Sequence, residues 1–156
     1  MAYGSHATTP MTDDALRIFV YDHVIGRGTV PRSSDVSEFL GTDVGDARAR
    51  LASLKFGKAL VVRRSTGEIW MAGPFAGGPT QYRLSDGATT WYANCGVAML
   101  GVAMLVGRPL LAEAPCVDCG HRITVECDPA QPPTESEAVV HFQVPVRRWY
   151  NDLGFT

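Results

Sequence analysis

The residues of this sequence with the clearest chemical potential are its four cysteines, and two of them form a pair. Cys116 and Cys119 lie in "APCVDCGHRI" and are followed by Gly120. C-x-x-C-G is typical of a zinc knuckle, because the glycine lets the chain fold back until both sulfurs face one metal. A closed zinc site needs four ligands, and the further candidates are Cys127, Cys95, His121 and His141. A zinc site, a reactive thiol pair and a purely structural turn all remain open readings of this segment.

A single cysteine, Cys95, has a different setting in "WYANCGVAMLGVAML". Asn94 precedes it as a candidate N-cap, which predicts that the sulfur lies in the first turn of an apolar helix. Backbone N–H groups and the helix dipole favour thiolate over thiol at that position. A thiolate is the better nucleophile and the better ligand for a soft metal. The alternative is a small buried core residue, and periodicity does not decide between the two.

Composition limits the classes of protein to which the chain can belong. Its 156 residues, 46% of them hydrophobic, suffice for one compact domain or two small lobes that share a core. The formal net charge of -2 provides no global field that would attract nucleic acid or a membrane. The longest apolar stretch, residues 97–106, is too short to span a bilayer. Because no secretory leader opens the sequence, we expect reduced thiols and a cytoplasmic location.

The N-terminal part, residues 12–75, predicts a winged helix-turn-helix lobe. A first helix should end at Gly26 and Gly28, a second should begin at the serines of "PRSSDVSEFLG", and a third should open at Asp43. "ALVVRRSTGEIWMA" then predicts a hairpin with its turn at residues 65–67. Residues 1–11 are expected to be a flexible N-terminus or a cloning remnant and take no part in this fold.

The second lobe is predicted to span residues 76–156, after a boundary at "PFAGGP". We expect an α+β chain in which a small mixed or antiparallel sheet packs on a central helix that begins near Cys95. Because "GVAML" occurs twice in that helix, we expect it to be apolar all round and buried. The predicted strands of this lobe lie at residues 81–84, 110–114, 123–127 and 139–144.

A basic face is predicted on the third helix and the hairpin, where winged helices usually contact DNA. The alternative is an ordinary solvated face, which acidic residues elsewhere in the lobe favour by cancelling the excess charge. DNA binding is therefore the less favoured reading. The basic residues of this face are Arg48, Arg50, Lys55, Lys58, Arg63 and Arg64.

The stretch "YRLSDGATTWYANCGVAMLGVAMLVGRPLLAEAPCVDCG" closely resembles the second lobe of organomercurial (alkylmercury) lyases. The preceding lobe and the later segments "VHFQVP" and "RRWYNDLGF" are similar to that family too. The resemblance covers roughly residues 12–156 and is specific over residues 91–120. It implies an organomercurial-lyase-like fold.

The same resemblance implies a soft-metal chemistry for particular residues. Such lyases cleave a carbon–mercury bond: two cysteines bind mercury as thiolates, and an aspartate three residues after the first relays a proton to the leaving carbon. Cys95 matches the first cysteine, but the aspartate position falls on Ala98. The second cysteine is expected just after the segment that matches "WYNDLGFT", where the sequence ends at Thr156. Cys116 matches a further family cysteine usually regarded as structural.

The sequence therefore predicts an organomercurial lyase-like protein in which the Cys95 thiolate binds a soft metal or an organometal. Without the aspartate, protonolysis should be severely impaired unless Asp118, Cys116 or Cys119 substitutes. The implied mechanism requires no cofactor, and the expected partners are a small organometal or other small-molecule substrate and small thiols, with no membrane. One alternative is a non-catalytic metal-binding protein, and another is a metal-responsive winged-helix regulator that binds DNA. The cysteines expected to hold Zn²⁺ or Hg²⁺ are Cys95, Cys116, Cys119 and Cys127.

Overall fold

The computed structural model of the chain describes residues 12–54, 59–131, 139–142, 144–149 and 151. Three helices come first and most of the antiparallel strands follow as a run, a segregation typical of the predicted α+β class. The helices are α1 (Asp13–Arg27), α2 (Ser33–Leu40), α3 (Val44–Ser53) and α4 (Gly96–Val106), with a 3₁₀ turn at Val146–Arg148. The strands are β1 (Leu60–Val62), β2 (Ile69–Ala72), β3 (Phe75–Ala76), β4 (Arg83–Ser85), β5 (Thr90–Tyr92), β6 (Leu110–Pro115) and β7 (Arg122–Cys127). None of the described helices combines the length and apolar character that a membrane span requires.

The first three helices begin and end largely where the sequence predicts. The Thr12 hydroxyl accepts a hydrogen bond from the Ala15 N–H at the start of α1, and the Asp43 carboxylate caps α3 in the same way. Of the two glycines predicted to end α1, Gly26 lies inside the helix. Gly28 ends it with a φ of 77°, the left-handed conformation that glycine adopts without strain.

The cap of α2 differs from the predicted serine cap. The N-cap is Arg32, whose N–H donates to the Asp35 carboxylate at 2.7 Å. Ser33 instead turns inward, where its hydroxyl and its N–H both donate to the Glu68 carboxylate at 2.8 Å. Arg48 of α3 donates to the same carboxylate at 3.1 Å. Glu68 thus ties α2 and α3 to the hairpin between β1 and β2.

Two antiparallel sheets follow the helices. One has the order β1-β2-β3, and its first hairpin turns where predicted. The other has the order β5-β4-β6-β7, with α4 packed on β4 and β6. Trp91 of β5 is fully buried, and its indole N–H donates to the Val24 carbonyl of α1 at 2.9 Å. The helical part and the second sheet are therefore in direct contact.

The predicted lobe boundary lies in a segment that contacts both sheets. Phe75 is fully buried and belongs to the same hydrophobic cluster as Trp91 and the inner face of α4. Its neighbour Ala76 pairs with Met71 of β2, while Phe75 itself bridges to Ala93 beyond β5. The division of the chain at residue 75 stays a prediction.

Two predictions for the second lobe are wrong. The helix α4 is not buried all round: its outer face leaves Leu100, Met104 and Leu105 exposed by 45%, 64% and 46%. The helix buries only the side that packs on β4 and β6, which carries Met99, Val102, Ala103 and Val106. The described part of the predicted strand at residues 139–144 has no strand structure, and residue 143 lies outside the described residues. A strand at Thr90–Tyr92, which the sequence did not suggest, forms the sheet edge instead.

Candidate functional site

Cys95 lies between β5 and α4, as the N-cap of the helix rather than in its first turn. Its backbone is extended, with φ -161° and ψ 177°, and its carbonyl accepts the Met99 N–H at 3.2 Å. Asn94 is not the cap that the sequence predicts. Its side-chain amide donates to the carbonyls of Pro74 and Phe75, at 3.0 and 3.3 Å, and holds the residue before Cys95 against β3.

The surroundings of Cys95 come from three parts of the chain. The Thr80 hydroxyl donates to the Ala93 carbonyl at 2.7 Å and fixes the backbone two residues before the cysteine. On the other side, a Cβ built on Gly96 would lie 3.7 Å from a methyl group of Val140. The segment at residues 139–142 therefore passes over the start of α4. Cys95 itself is half-buried, and its sulfur makes no capping hydrogen bond to α4.

Ala98 occupies the first turn of α4, three residues after Cys95. It is partly buried and packs against the core cluster that contains Trp91 and Val102. A methyl side chain can neither donate nor accept a proton, and so the first turn of α4 offers no acid–base group at this position. The helix start thus carries a thiol without a neighbouring carboxylate on the same turn.

The pair Cys116 and Cys119 forms a tight turn between β6 and β7. The Gly120 N–H donates to the Cys116 carbonyl at 2.9 Å, and Gly120 has a φ of 72° as the predicted knuckle requires. The sulfur of Cys116 accepts hydrogen bonds from the backbone N–H groups of Cys119 and Asp118 and from the Cys119 thiol, and these lower the pKa of Cys116 below its usual range. Cys116 is half-buried and Cys119 is exposed.

Cys127 belongs to the core and lies far from this turn. It pairs with Leu110 at one end of the β6–β7 hairpin, whereas the cysteine turn closes the other end, a strand length of roughly 16 Å away. It is 7% exposed, and burial raises the pKa of its thiol. Across the described ranges, no three histidine, cysteine, aspartate or glutamate side chains come together as a metal site. The four-ligand zinc site considered from the sequence is not assembled there.

A shallow cleft of about 390 Å³ lies on the second sheet next to the cysteine turn, and its lining includes neither Cys95 nor the two cysteines of the turn. It extends from Thr80, which binds the Ala93 carbonyl, to Gly120. On its floor Glu113 accepts hydrogen bonds from Arg83 and Arg122, and mainly the bond from Arg83 lowers the pKa of that carboxyl. Sequence reasoning missed this trio, because only the β4–β6–β7 register places the three side chains together.

The predicted basic face is largely occupied by internal contacts. Arg48 pairs with Glu68, and Arg50 pairs with Asp13 at the start of α1. Arg63 lies over the ring of Trp70 at 5.4 Å from its centroid. Lys55 and Lys58 lie outside the described residues. DNA binding by this face remains a prediction, now with two of its arginines paired to carboxylates.

Comparison with known proteins supplies a family for this arrangement. The family profile of alkylmercury lyase (MerB) matches residues 75–155, just over half of the chain. Among solved structures, the chain is similar to the mercury-bound form of MerB2, with a TM-score of 0.59 and 16% identity. The match covers 84% of this chain and 62% of that one, so the chain spans less than two thirds of that relative's length. No curated protein matches.

Proposed function

Because the chain belongs to the alkylmercury lyase family, we propose that it captures organomercury compounds through the sulfur of Cys95. The observation that carries this proposal is the position of Cys95 inside the matched region: a half-buried thiol at the junction of β5 and α4. The backbone on its N-terminal side is fixed by Asn94 and Thr80. A thiol held in this way presents its sulfur from a rigid support.

The capture step is a ligand exchange at mercury. The thiol loses its proton, its sulfur bonds to the metal, and the ligand that leaves mercury takes up the proton, so that the organic group stays attached. Soft sulfur favours soft mercury over the oxygen and nitrogen ligands of the surrounding protein. Val140, beside the start of α4, offers an apolar contact for the organic group.

Cleavage of the carbon–mercury bond requires a further proton on the leaving carbon. The bond's electron pair goes to carbon, the proton completes the hydrocarbon, and mercury stays on sulfur. A positioned acid contributes about 10²–10⁴-fold to such proton transfers. Ala98 has no proton to give, and Asp118 lies in the cysteine turn instead of on α4. We therefore expect stable capture with slow cleavage.

Native mass spectrometry with phenylmercury and an excess of a small monothiol tests this function. The wild-type chain should retain one phenylmercury group, because at Cys95 the apolar contact with Val140 adds to the single sulfur–mercury bond and a free monothiol has no such contact. Cys95→Ser should retain none. Cys127→Ala is the matched control, since it also removes one thiol but from the core. Equal retention by wild type and Cys95→Ser would refute the proposal. Rapid loss of the phenyl group from the wild-type adduct would refute the slow-cleavage part alone.

A further inference from the structure

The cysteine turn at residues 116–120 has a geometry suited to a ligand of its own. The Gly120 N–H donates to the Cys116 carbonyl at 2.9 Å and the Cys116 N–H donates to the His121 carbonyl at 2.7 Å, which closes the turn tightly, and Cys119 is exposed. The C-x-x-C spacing places both cysteines on this one turn, where their sulfurs can bond to the same ion. Such a pair can chelate one ion at the closed end of the β6–β7 hairpin.

The number of ligands restricts which ion the turn can hold. Zn²⁺ in a closed site takes four ligands, and the described residues bring no third histidine, cysteine or carboxylate to this pair. Cys127 is excluded by its place at the opposite end of the hairpin. An ion satisfied by two thiolates fits the turn, and inorganic Hg²⁺ is such a soft ion.

The turn also lies at the same end of the sheet as Cys95. Tyr92, Arg83 and Glu113 face one another across β5, β4 and β6. Both β5 and β6 are antiparallel to β4 and therefore run in the same direction. Cys95 lies three residues after Tyr92 of β5, and Cys116 lies three residues after Glu113 of β6. The cleft that reaches from Thr80 to Gly120 crosses the same edge.

We propose that Cys116 and Cys119 form a chelating site for inorganic mercuric ion, separate from the organomercury site at Cys95. The pair exchanges with a mercuric bis-thiolate: two protein sulfurs bond to mercury, two small thiolates leave, and the protein's two protons go to them. Nothing is oxidised or reduced. The inference rests on the proposed function only for one source of the ion: the slow carbon–mercury cleavage leaves mercuric ion on Cys95, and small thiols can then carry it to the turn.

Chelation distinguishes this site from Cys95. An Hg²⁺ ion bound by two sulfurs of one turn resists competition from free monothiols, because the second bond forms at high effective concentration. Phenylmercury has a single open position and gains nothing from the second sulfur. In excess monothiol, the turn should therefore retain inorganic mercury and release phenylmercury.

The test loads the full chain with one equivalent of mercuric chloride in excess glutathione and measures retained metal by native mass spectrometry. Wild type, Cys95→Ser and Cys127→Ala should each retain one Hg²⁺ with the loss of two protons. Cys116→Ser and Cys119→Ser should each bind it about 10²-fold more weakly. Both serine variants change only the turn, and unchanged circular dichroism would confirm that they fold.

Several outcomes would overturn the inference. Retention of Hg²⁺ by the Cys116→Ser/Cys119→Ser double variant, or its loss from Cys95→Ser alone, would place the ion elsewhere. Preferred binding of Zn²⁺ between two copies of the chain would replace a two-ligand site with a four-ligand one. Failure of the proposed function looks different: Cys95→Ser would then still capture phenylmercury, whatever the turn does with Hg²⁺.

Discussion

The contact between α1 and β5 can be tested with a pair of glycines. Gly28 and Gly41 each end a helix in the left-handed conformation, with φ of 77° and 66°. A Cβ on Gly41 would meet nothing within 4 Å. A Cβ on Gly28 would lie 3.0 Å from Thr89 Cγ2 and would overlap the backbone carbonyl oxygen of Thr90 at the start of β5. The two alanine variants therefore share the backbone strain and differ only in the clash.

The magnitudes follow from that difference. Alanine in the left-handed region costs about 1–2 kcal/mol, partly offset by about 0.4–1 kcal/mol from the stiffer unfolded chain. Gly41→Ala should thus lose about 1 kcal/mol. Gly28→Ala should lose about 1–3 kcal/mol more, because the clashing atom belongs to the backbone and cannot rotate away. For a chain of this size, a further 2 kcal/mol lowers Tm by about 4–8 °C.

Urea and thermal unfolding of wild type, Gly28→Ala and Gly41→Ala measure these losses directly. Equal destabilisation by the two variants would mean that α1 does not press against β5 as described. It would also remove the support that this helix gives to the strand leading to Cys95.

Two further predictions concern catalysis and acid stability. Ala98→Asp should raise the rate at which the phenyl group is released as benzene about 10²-fold over wild type. Ala98→Asn, in which the side chain has the same shape as aspartate but no acidic proton, should not raise it. Equal rates for the two variants would show that this position does not deliver the proton. Desolvation raises the pKa of Glu68, but hydrogen bonds from the Ser33 hydroxyl and N–H and from Arg48 together lower it below its ordinary 4.5. Because the pKa of Glu68 is lower in the folded chain than in the unfolded chain, its ionised carboxylate stabilises the fold at pH values above the unfolded pKa. This stabilisation is lost as the pH falls through the folded pKa. Glu68→Gln should therefore cost about 1 kcal/mol in denaturant unfolding at pH 7 and almost nothing in strong acid; a pH-independent cost would contradict this.

Local signals predicted much of the fold. Thr12, Asp43 and Gly28 mark helix ends through bonds to neighbouring residues, and such bonds depend only on nearby sequence. Asn94 looked like a helix cap by the same rule, yet its amide bonds to carbonyls about twenty residues earlier in the chain. The choice between a local and a distant partner is made by tertiary packing, which no short window contains.

The candidate site shows the same division. The sequence placed Cys95 at the start of an apolar helix and Cys116 with Cys119 in one turn, and both placements are confirmed. The sequence left open whether Cys127 lies near this pair, because the register of the β6–β7 hairpin decides its position. That register pairs Cys127 with Leu110, at the end of the hairpin opposite the turn. The outer face of α4 was wrongly expected to be buried, since apolar composition does not reveal how many layers cover a helix.

Differential alkylation tests the central claim, that Cys95 is the thiol that captures organomercury. The folded chain is loaded with one equivalent of phenylmercury in excess monothiol, the remaining thiols are alkylated, and each cysteine is mapped after the mercury is removed. We expect Cys95 to be protected while Cys116 and Cys119 are alkylated as in unloaded protein. Alkylation of Cys95 at its unloaded rate, with protection at any other cysteine, would contradict the proposed function.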